Sequence, residues 1–120
     1  MAIRGIDHIQ LAMPVGGEEA ARRFYEGLLG IPEVAKPPDL AARGGCWFES
    51  ASVKVHLGVE ATFTPARKAH PAFLVDDLPG LLQILSEAGF PASEDVAIAG
   101  WERRHVNDPF GNRIELMQPK

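Results

Sequence analysis

The chain carries an imperfect internal repeat, in which segments of its first half return in the same order in its second half. The first copy contains His8–Leu11, Leu29–Pro32 and Val55–Leu57, and the second contains His70–Phe73, Ala88–Pro91 and Ile114–Leu116. The shift is 62 residues for the first pair of segments and 59 for the other two. A repeat of this kind predicts two related modules in a single domain of 120 residues, residues 1–59 and 69–120, joined by a linker at 60–68.

Composition narrows the class of protein. The chain is 46% hydrophobic and 23% charged, which is typical of a soluble globular protein. Its net charge of −4, without a run of Lys or Arg long enough to bind a line of phosphates, argues against nucleic acid as a partner. No apolar run is long enough to span a membrane and no leader opens the chain, so we expect a cytoplasmic protein. Cys46 is the single cysteine, which excludes an intrachain disulfide.

Each copy is predicted to form a strand, a helix and then three strands. Helical spacing places Ala21, Phe24, Tyr25 and Leu28 on one apolar stripe, and Leu78, Leu81, Leu82 and Leu85 on another. Asp76 or Asp77 is expected to cap the second helix. The strands are predicted near 3–13, 32–36, 45–50 and 53–58 in the first copy, and near 70–75, 92–96, 101–107 and 112–117 in the second.

Four residues that can bind metal occupy matching positions of the repeat: His8, His56, His70 and Glu115. Strand alternation places each of them opposite the bulkier apolar face, which the helices should cover. We therefore expect all four to point into the open side of the sheet. Imidazole and carboxylate ligands suit one divalent metal ion, such as Zn, Ni, Co, Fe or Mn. His105 has no ligand-type partner in the repeat and is not expected to be a ligand.

Three features together carry a family resemblance. They are His8 in the opening strand, the Phe24-Tyr25 helix that ends at Leu28–Ile31, and the Pro-Gly turn in Asp108–Leu116 that leads into a strand containing Glu115. With these features the chain resembles the vicinal oxygen chelate superfamily, which includes glyoxalase I, fosfomycin- and bleomycin-resistance proteins and extradiol dioxygenases. The resemblance implies an α+β fold of two βαβββ modules that form a curved mixed sheet with a concave metal-site cleft.

The resemblance also implies where the metal ligands lie. Family ligands come from the first and last strands of each module, and these positions are His8, His56, His70 and Glu115 here. Glyoxalase I commonly has a carboxylate where this chain has His56. Fosfomycin-resistance proteins and extradiol dioxygenases use two His and one carboxylate, whereas bleomycin-binding members generally lack the ligands. Family members usually dimerise, so the resemblance implies a homodimer with metal sites shared between chains.

The function implied by the resemblance is that of a metal-dependent, glyoxalase-like lyase or isomerase. It would act on a small carbonyl compound or its thiol adduct, whose vicinal oxygens chelate the metal. Glu115 is the predicted catalytic residue, as ligand and proton shuttle. Predicted substrate-binding residues are Gln10, Arg67, Trp101 and Arg103, with Lys68 as a further anchor for an anion. A fosfomycin-type transferase, an extradiol-type dioxygenase and a non-catalytic antibiotic or metabolite binder are the alternatives.

Overall fold

The computed structural model describes residues 1–120, which divide into two compact units, Met1–Thr64 and Pro65–Lys120. Each unit has its own mixed sheet, and helices are few. The predicted α+β class and its two related modules are therefore confirmed. The organisation of both modules as a single domain stays a prediction.

The first unit contains a four-stranded sheet in the order β1-β4-β3-β2. Its elements are β1 (Ile9–Met13), α1 (Glu18–Ala21) continuing as a π-helix (Arg22–Leu28), β2 (Glu33–Val34), α2 (Pro38–Ala41), β3 (Cys46–Glu49) and β4 (Lys54–Val59). Strands β1 and β4 are parallel, and the other neighbours are antiparallel. The first strand of the unit thus pairs with its last.

The second unit repeats this connectivity with three strands in the order β5-β7-β6. Its elements are β5 (Ala72–Leu74), α3 (Leu78–Glu87), β6 (Trp101–Asn107) and β7 (Arg113–Pro119). Strands β5 and β7 are parallel, whereas β6 and β7 are antiparallel. The first strand again pairs with the last, as in the first unit.

The helices bury part of each predicted stripe, whereas Leu28, Leu81 and Leu82 are half-buried. Phe24 and Tyr25 are adjacent in sequence and both buried, and the π-helix that holds them closes with a hydrogen bond from Leu29 N to Phe24 O of 2.9 Å. Asp77 caps α3 by accepting a hydrogen bond from Gly80 N at 3.1 Å. Leu78 and Leu85 of this helix are buried. Helix α3 has 10 residues, and no helix is long and apolar enough to cross a membrane.

Strands β2 and β5 are shorter than predicted, and two other predicted strands are wrong in extent to a greater degree. Strand β1 starts only at Ile9, and residues 3–8, with Ile3 and Ile6, are exposed and form no strand. The predicted strand at 92–96 is reduced to one bridge between Ser93 and His105. Its acidic side chains turn towards β6 instead, where Glu94 lies 3.3 Å from Arg104. Ion pairs between side chains thus hold this segment beside β6 in place of a continuous series of backbone hydrogen bonds.

Strand alternation in β4 and β7 separates two kinds of buried residue. Val55 and Leu57 belong to the apolar core of the first unit, and Ile114 and Leu116 to that of the second. His56 and Glu115 lie between them in sequence and so point to the opposite sheet face. Both are nevertheless buried, at 4% and 7% exposure. Each unit therefore buries an ionisable group away from its helices.

Candidate metal centre

One group of three side chains in the second unit has the composition and spacing of a metal site. Its members are His70, His105 and Glu115, and one ligand atom from each lies within 4.8 Å of the others. The sheet brings them together, because His105 pairs directly with Glu115 between β6 and β7. His70 lies just before β5, and the hydrogen bond from Glu115 N to Pro71 O at 3.0 Å fixes that segment beside β7.

The hydrogen bonds of His70 orient its ring for a cation. Nδ1 lies 2.8 Å from the carbonyl oxygen of Lys68, which can only accept, so Nδ1 carries a proton. Nε2 lies 2.9 Å from Oε1 of Glu115. Nε2 is therefore the ring nitrogen that faces the carboxylate, and a backbone carbonyl behind a ligating His is a common feature of metal sites.

His105 presents a buried nitrogen without a hydrogen bond. The residue is 6% exposed, and no group bonds to its Nε2. That atom lies 3.5 Å from Oε1 of Glu115. Burying an unsatisfied polar group costs about 1–3 kcal/mol. A cation bound between the two atoms would remove that cost, so this nitrogen fits the role of a ligand.

Glu115 is held in its ionised form. Burial acts to raise the pKa of its carboxyl group, but the hydrogen bond with His70 and the positive charge of Arg103 outweigh burial, so the pKa is lowered. Nη1 of Arg103 lies 3.3 Å from Oε2, which leaves Oε1 facing the two imidazoles. An ionised carboxylate is the form that binds a metal ion.

Arg103 is engaged with its own protein. Besides Glu115, its guanidinium donates to the carbonyl oxygen of Val96 and lies 3.9 Å from Oδ2 of Asp95. Its side chain is 12% exposed, and its buried Nε has no hydrogen bond. The structure thus brings Arg103 to the carboxylate of the candidate metal centre, and its predicted contact with substrate stays a prediction.

The turn before β7 explains why Glu115 is held so firmly. Asp108 and Asn112 are buried, and Oδ1 of Asp108 accepts from the backbone N of both Phe110 and Asn112 at 2.9 Å. The Asn112 side chain in turn accepts from Ala66 N at 2.9 Å and donates to Asp108 at 2.9 Å. These bonds fix the start of β7, the strand that carries Glu115.

The two candidate ligands of the first unit lie in an aromatic stack. The ring of His56 is 4.2 Å from that of His8 and 3.9 Å from that of Trp47, with an angle of 3° to Trp47. Nε2 of His56 lies 2.8 Å from Oε2 of Glu49. His8 is more open, with Nδ1 2.9 Å from Oδ2 of Asp7. Glu49 is a site neighbour that periodicity alone did not identify.

The predicted substrate-binding residues lie at different distances from the candidate metal ligands. Gln10 lies on β1 directly beside His56. Trp101 pairs with Pro119, whereas His105 pairs with Glu115, so Trp101 lies about 13 Å along β6 from His105. Arg67 and Lys68 are exposed in the segment before His70. Only the backbone carbonyl of Lys68 takes part in the hydrogen bonds of the centre.

His105 could have been found by following strand pairing instead of sequence offset. His105 pairs with Glu115, and Trp47 pairs with His56 in the same way. The two hairpins therefore place an aromatic or imidazole ring beside the ligand position of the last strand in both units. Because Trp47 is not a metal ligand type, residue matching between the copies hides this equivalence.

The chain matches a family model and several solved structures. The model of the Glyoxalase/Bleomycin resistance protein/Dioxygenase superfamily matches residues 5–116. A glyoxalase family protein from Bacillus anthracis is 48% identical, with a TM-score of 0.94 over 100% of this chain and 98% of that chain. No curated protein matches the sequence.

Two more distant structures share the fold. TnmS3, an antibiotic binding protein from Streptomyces sp. CB03234, is 23% identical, with a TM-score of 0.71 over 100% of this chain and 99% of that chain. A FosX fosfomycin resistance protein variant from Listeria monocytogenes, complexed with Mn(II) and 1S,2S-dihydroxypropylphosphonic acid, is 14% identical. Its TM-score is 0.81, covering 99% of this chain and 95% of that chain. At these identities the likeness concerns the fold alone.

Proposed function

Because this chain belongs to the Glyoxalase/Bleomycin resistance protein/Dioxygenase superfamily, we propose that it is a metal-dependent lyase or isomerase of the glyoxalase type. Its substrate is a small carbonyl compound or the thiol adduct of one, which chelates a divalent metal ion through vicinal oxygens. The observation that carries the proposal is the convergence of His70, His105 and Glu115 in the second unit.

These three side chains fit a divalent ion in charge and in donor type. His70 has its Nδ1 proton committed to Lys68, and His105 has a buried Nε2 without a hydrogen bond, so each ring has one nitrogen available for the ion. Two imidazoles and one carboxylate suit Zn, Ni, Co, Fe or Mn. When bound, such an ion would polarise a substrate carbonyl and stabilise the oxyanion that forms. The Mn(II) in the FosX structure is consistent with metal binding in this superfamily.

Glu115 has two tasks in this proposal. Oε1 faces the two imidazoles as a ligand, and Oε2 faces Arg103. In an isomerase reaction a base removes a proton from carbon beside the substrate carbonyl and returns it to the neighbouring carbon. Glu115 is the only carboxylate in the cluster. We assign it this proton transfer, with Arg103 holding the carboxylate in position.

His8 and His56 complete the centre in a homodimer, in which each metal ion takes ligands from both chains. This part of the proposal is tested by mixing two inactive variants. One variant carries His8→Ala and His56→Ala, and the other carries His70→Ala and Glu115→Ala. In a shared-site dimer, mixing rebuilds one native centre per heterodimer, which is about a quarter of the wild-type number of sites. Sites built within one chain would give no recovery, and that result would exclude sharing.

The central experiment measures metal first and turnover second. Protein purified without chelator is analysed for bound metal and then titrated with Zn, Ni, Co, Fe(II) and Mn. Small dicarbonyl compounds and their thiol adducts are assayed with wild type, Glu115→Gln and the control Glu102→Gln. Glu102 is an exposed carboxylate on the same hairpin. We expect Glu115→Gln alone to lose turnover. Wild type without affinity for any of these metals would refute the proposal.

Two alternatives make different predictions for the same samples. A fosfomycin-type transferase or an extradiol-type dioxygenase would use the centre for addition of a nucleophile or for oxygen chemistry, and preference for Fe(II) would favour the dioxygenase. A non-catalytic binder, as suggested by the likeness to TnmS3, would bind its ligand equally well after Glu115→Ala.

A cytoplasmic location is also part of the proposal, and fractionation of cells that express the protein tests it.

A further inference from the structure

A cavity of about 230 Å³ lies in the first unit, beside the stacked rings. Gln10, Trp47 and Gly58 line it from strands β1, β3 and β4, whereas Lys36 and Arg43 come from the segment around α2. Gln10 and Trp47 both pair with His56 across the sheet. The cavity therefore adjoins a candidate ligand of the metal centre.

The charged side chains of this cavity are all cationic. Lys36 and Arg43 line it, and no carboxylate does. Nζ of Lys36 donates to the carbonyl oxygen of Gly44, and neither cation belongs to an ion pair of the chain. Glu18 lies near Gly44, but it accepts from Gly45 N at 2.9 Å and does not line the cavity. Two cations without a counter-charge favour an anionic ligand.

The lining is largely polar, but one part of the cavity wall is apolar, and the volume of the cavity indicates a small ligand. Leu40, Leu57 and Val59 add aliphatic surface to the indole of Trp47. A cavity of about 150 Å³ accommodates benzene, so a cavity of about 230 Å³ has room for one such ring and a small charged group. Drug-sized ligands need about 300–1,000 Å³. The size and lining together indicate a small acid with an apolar body.

We propose that this cavity binds a small organic acid, with its carboxylate or phosphonate group at Arg43 and Lys36 and its apolar body against Trp47. That such an acid is also the substrate rests on the proposed metal-dependent function, because the cavity adjoins His56. Binding itself does not depend on metal. Gln10, at the junction of cavity and stack, would contact the part of the ligand nearest His56.

Fluorescence of Trp47 provides a direct test in metal-free protein. The chain has two tryptophans, so a Trp101→Phe background leaves only Trp47 as the reporter. Benzoate, phenylphosphonate and the neutral benzyl alcohol are titrated with EDTA present. We expect saturable changes with one or both anions but not with the alcohol, and the stronger anion identifies the preferred acid. In the same background, Arg43→Gln should weaken binding about tenfold, because a charge-assisted hydrogen bond is lost.

Arg23→Gln is the matched control, since Arg23 is an exposed arginine of the same unit that does not line the cavity. It should bind the anions as tightly as the parent protein. Absence of binding by both anions would overturn the proposal, and so would equal binding by the parent and Arg43→Gln. Either result leaves the metal titration of the second unit unaffected, so failure here differs from failure of the proposed function. If the anions bind but metal does not, the cavity is a binding site without the proposed reaction.

Discussion

Nε2 of His105 lies 3.5 Å from Oε1 of Glu115, buried and without a hydrogen bond. Natural proteins rarely leave a buried nitrogen without a partner, because the lost solvation is not recovered. Here the atom faces the carboxylate that a second imidazole, from His70, also approaches at 2.9 Å. In the metal-free protein the buried Nε2 of His105 lowers stability, and a cation bound between this atom and Glu115 would remove that loss.

Replacing His105 should therefore separate metal affinity from stability. We expect His105→Leu to weaken metal binding at least tenfold, as loss of a ligand or its immediate support does. The free energy of unfolding of the metal-free variant should rise by about 1 kcal/mol, because an unsatisfied polar atom is removed. Co(II) titration measures the affinity, and urea denaturation in EDTA measures the stability.

Glu102→Gln serves as the control on the same strand, since Glu102 is exposed. It should leave both quantities unchanged. Unaltered Co(II) affinity and an unaltered Co(II) spectrum in His105→Leu would show that His105 is not a ligand.

His56 should carry its proton on Nε2. Oε2 of Glu49 lies 2.8 Å away and a carboxylate can only accept, so Nδ1 is the atom left to bind metal. Nitrogen-detected NMR of the His rings should show the Nε2–H form and, on addition of Zn, a shift at Nδ1. Glu49→Ala should weaken the preference for this form. Loss of the Nε2 proton on metal addition would contradict this assignment.

The Asp108–Asn112 turn should be a main source of stability in the second unit. Asn112→Ala removes the acceptor for Ala66 N and a donor to Asp108, both in bonds of 2.9 Å. We expect a loss of about 2 kcal/mol in the free energy of unfolding, since buried groups lose their partners. The exposed Asn107 provides the control, and Asn107→Ala should change stability by less than about 0.5 kcal/mol. Equal losses in the two variants would refute this role.

Cys46 should make stability depend on alkaline pH. Burial raises the pKa of its thiol from 9.0 to about 11. A folded-state pKa above the unfolded one favours the neutral thiol, so this contribution is fully present below pH 9 and is lost as pH rises towards about 11. Urea denaturation of wild type should show a steeper fall across this window than Cys46→Ala. Because the variant also loses core packing at every pH, the comparison uses the slope of the unfolding free energy against pH and not its absolute value. Parallel curves would contradict the shifted pKa.

Much of the fold was predictable because it follows from local patterns. Helical spacing identified Phe24 and Tyr25, and the repeat identified the matching connectivity of both units. Alternation placed Glu115 opposite Ile114 and Leu116 correctly. The short β1 was not predictable in this way, because a strand needs a partner as well as a pattern. Residues 3–8 have no partner strand within the chain.

The candidate site was predictable only in part. His70 and Glu115 occupy repeat positions, and the structure brings them to 2.9 Å. His105 and Glu49 were missed because each meets its partner through tertiary geometry. His105 meets Glu115 across a hairpin, and Glu49 meets His56 as a diagonal neighbour across the β3–β4 hairpin. A comparison of residue types between two copies does not detect equivalent positions whose residue types differ, such as Trp47 and His105.

Pairing of the first strand of each unit with its last has a consequence for when the proposed metal site can form. His70 precedes β5 and Glu115 lies on β7, so the two meet only after the whole second unit has been synthesised and β5 has closed onto β7. Such closure over a long stretch of chain is a late and entropically costly event in folding. We therefore expect metal binding at this site to occur only after the second unit has completed its folding. A chain truncated within β7, or one whose final strand has detached, would lack the proposed metal site while helix α3 could still be formed.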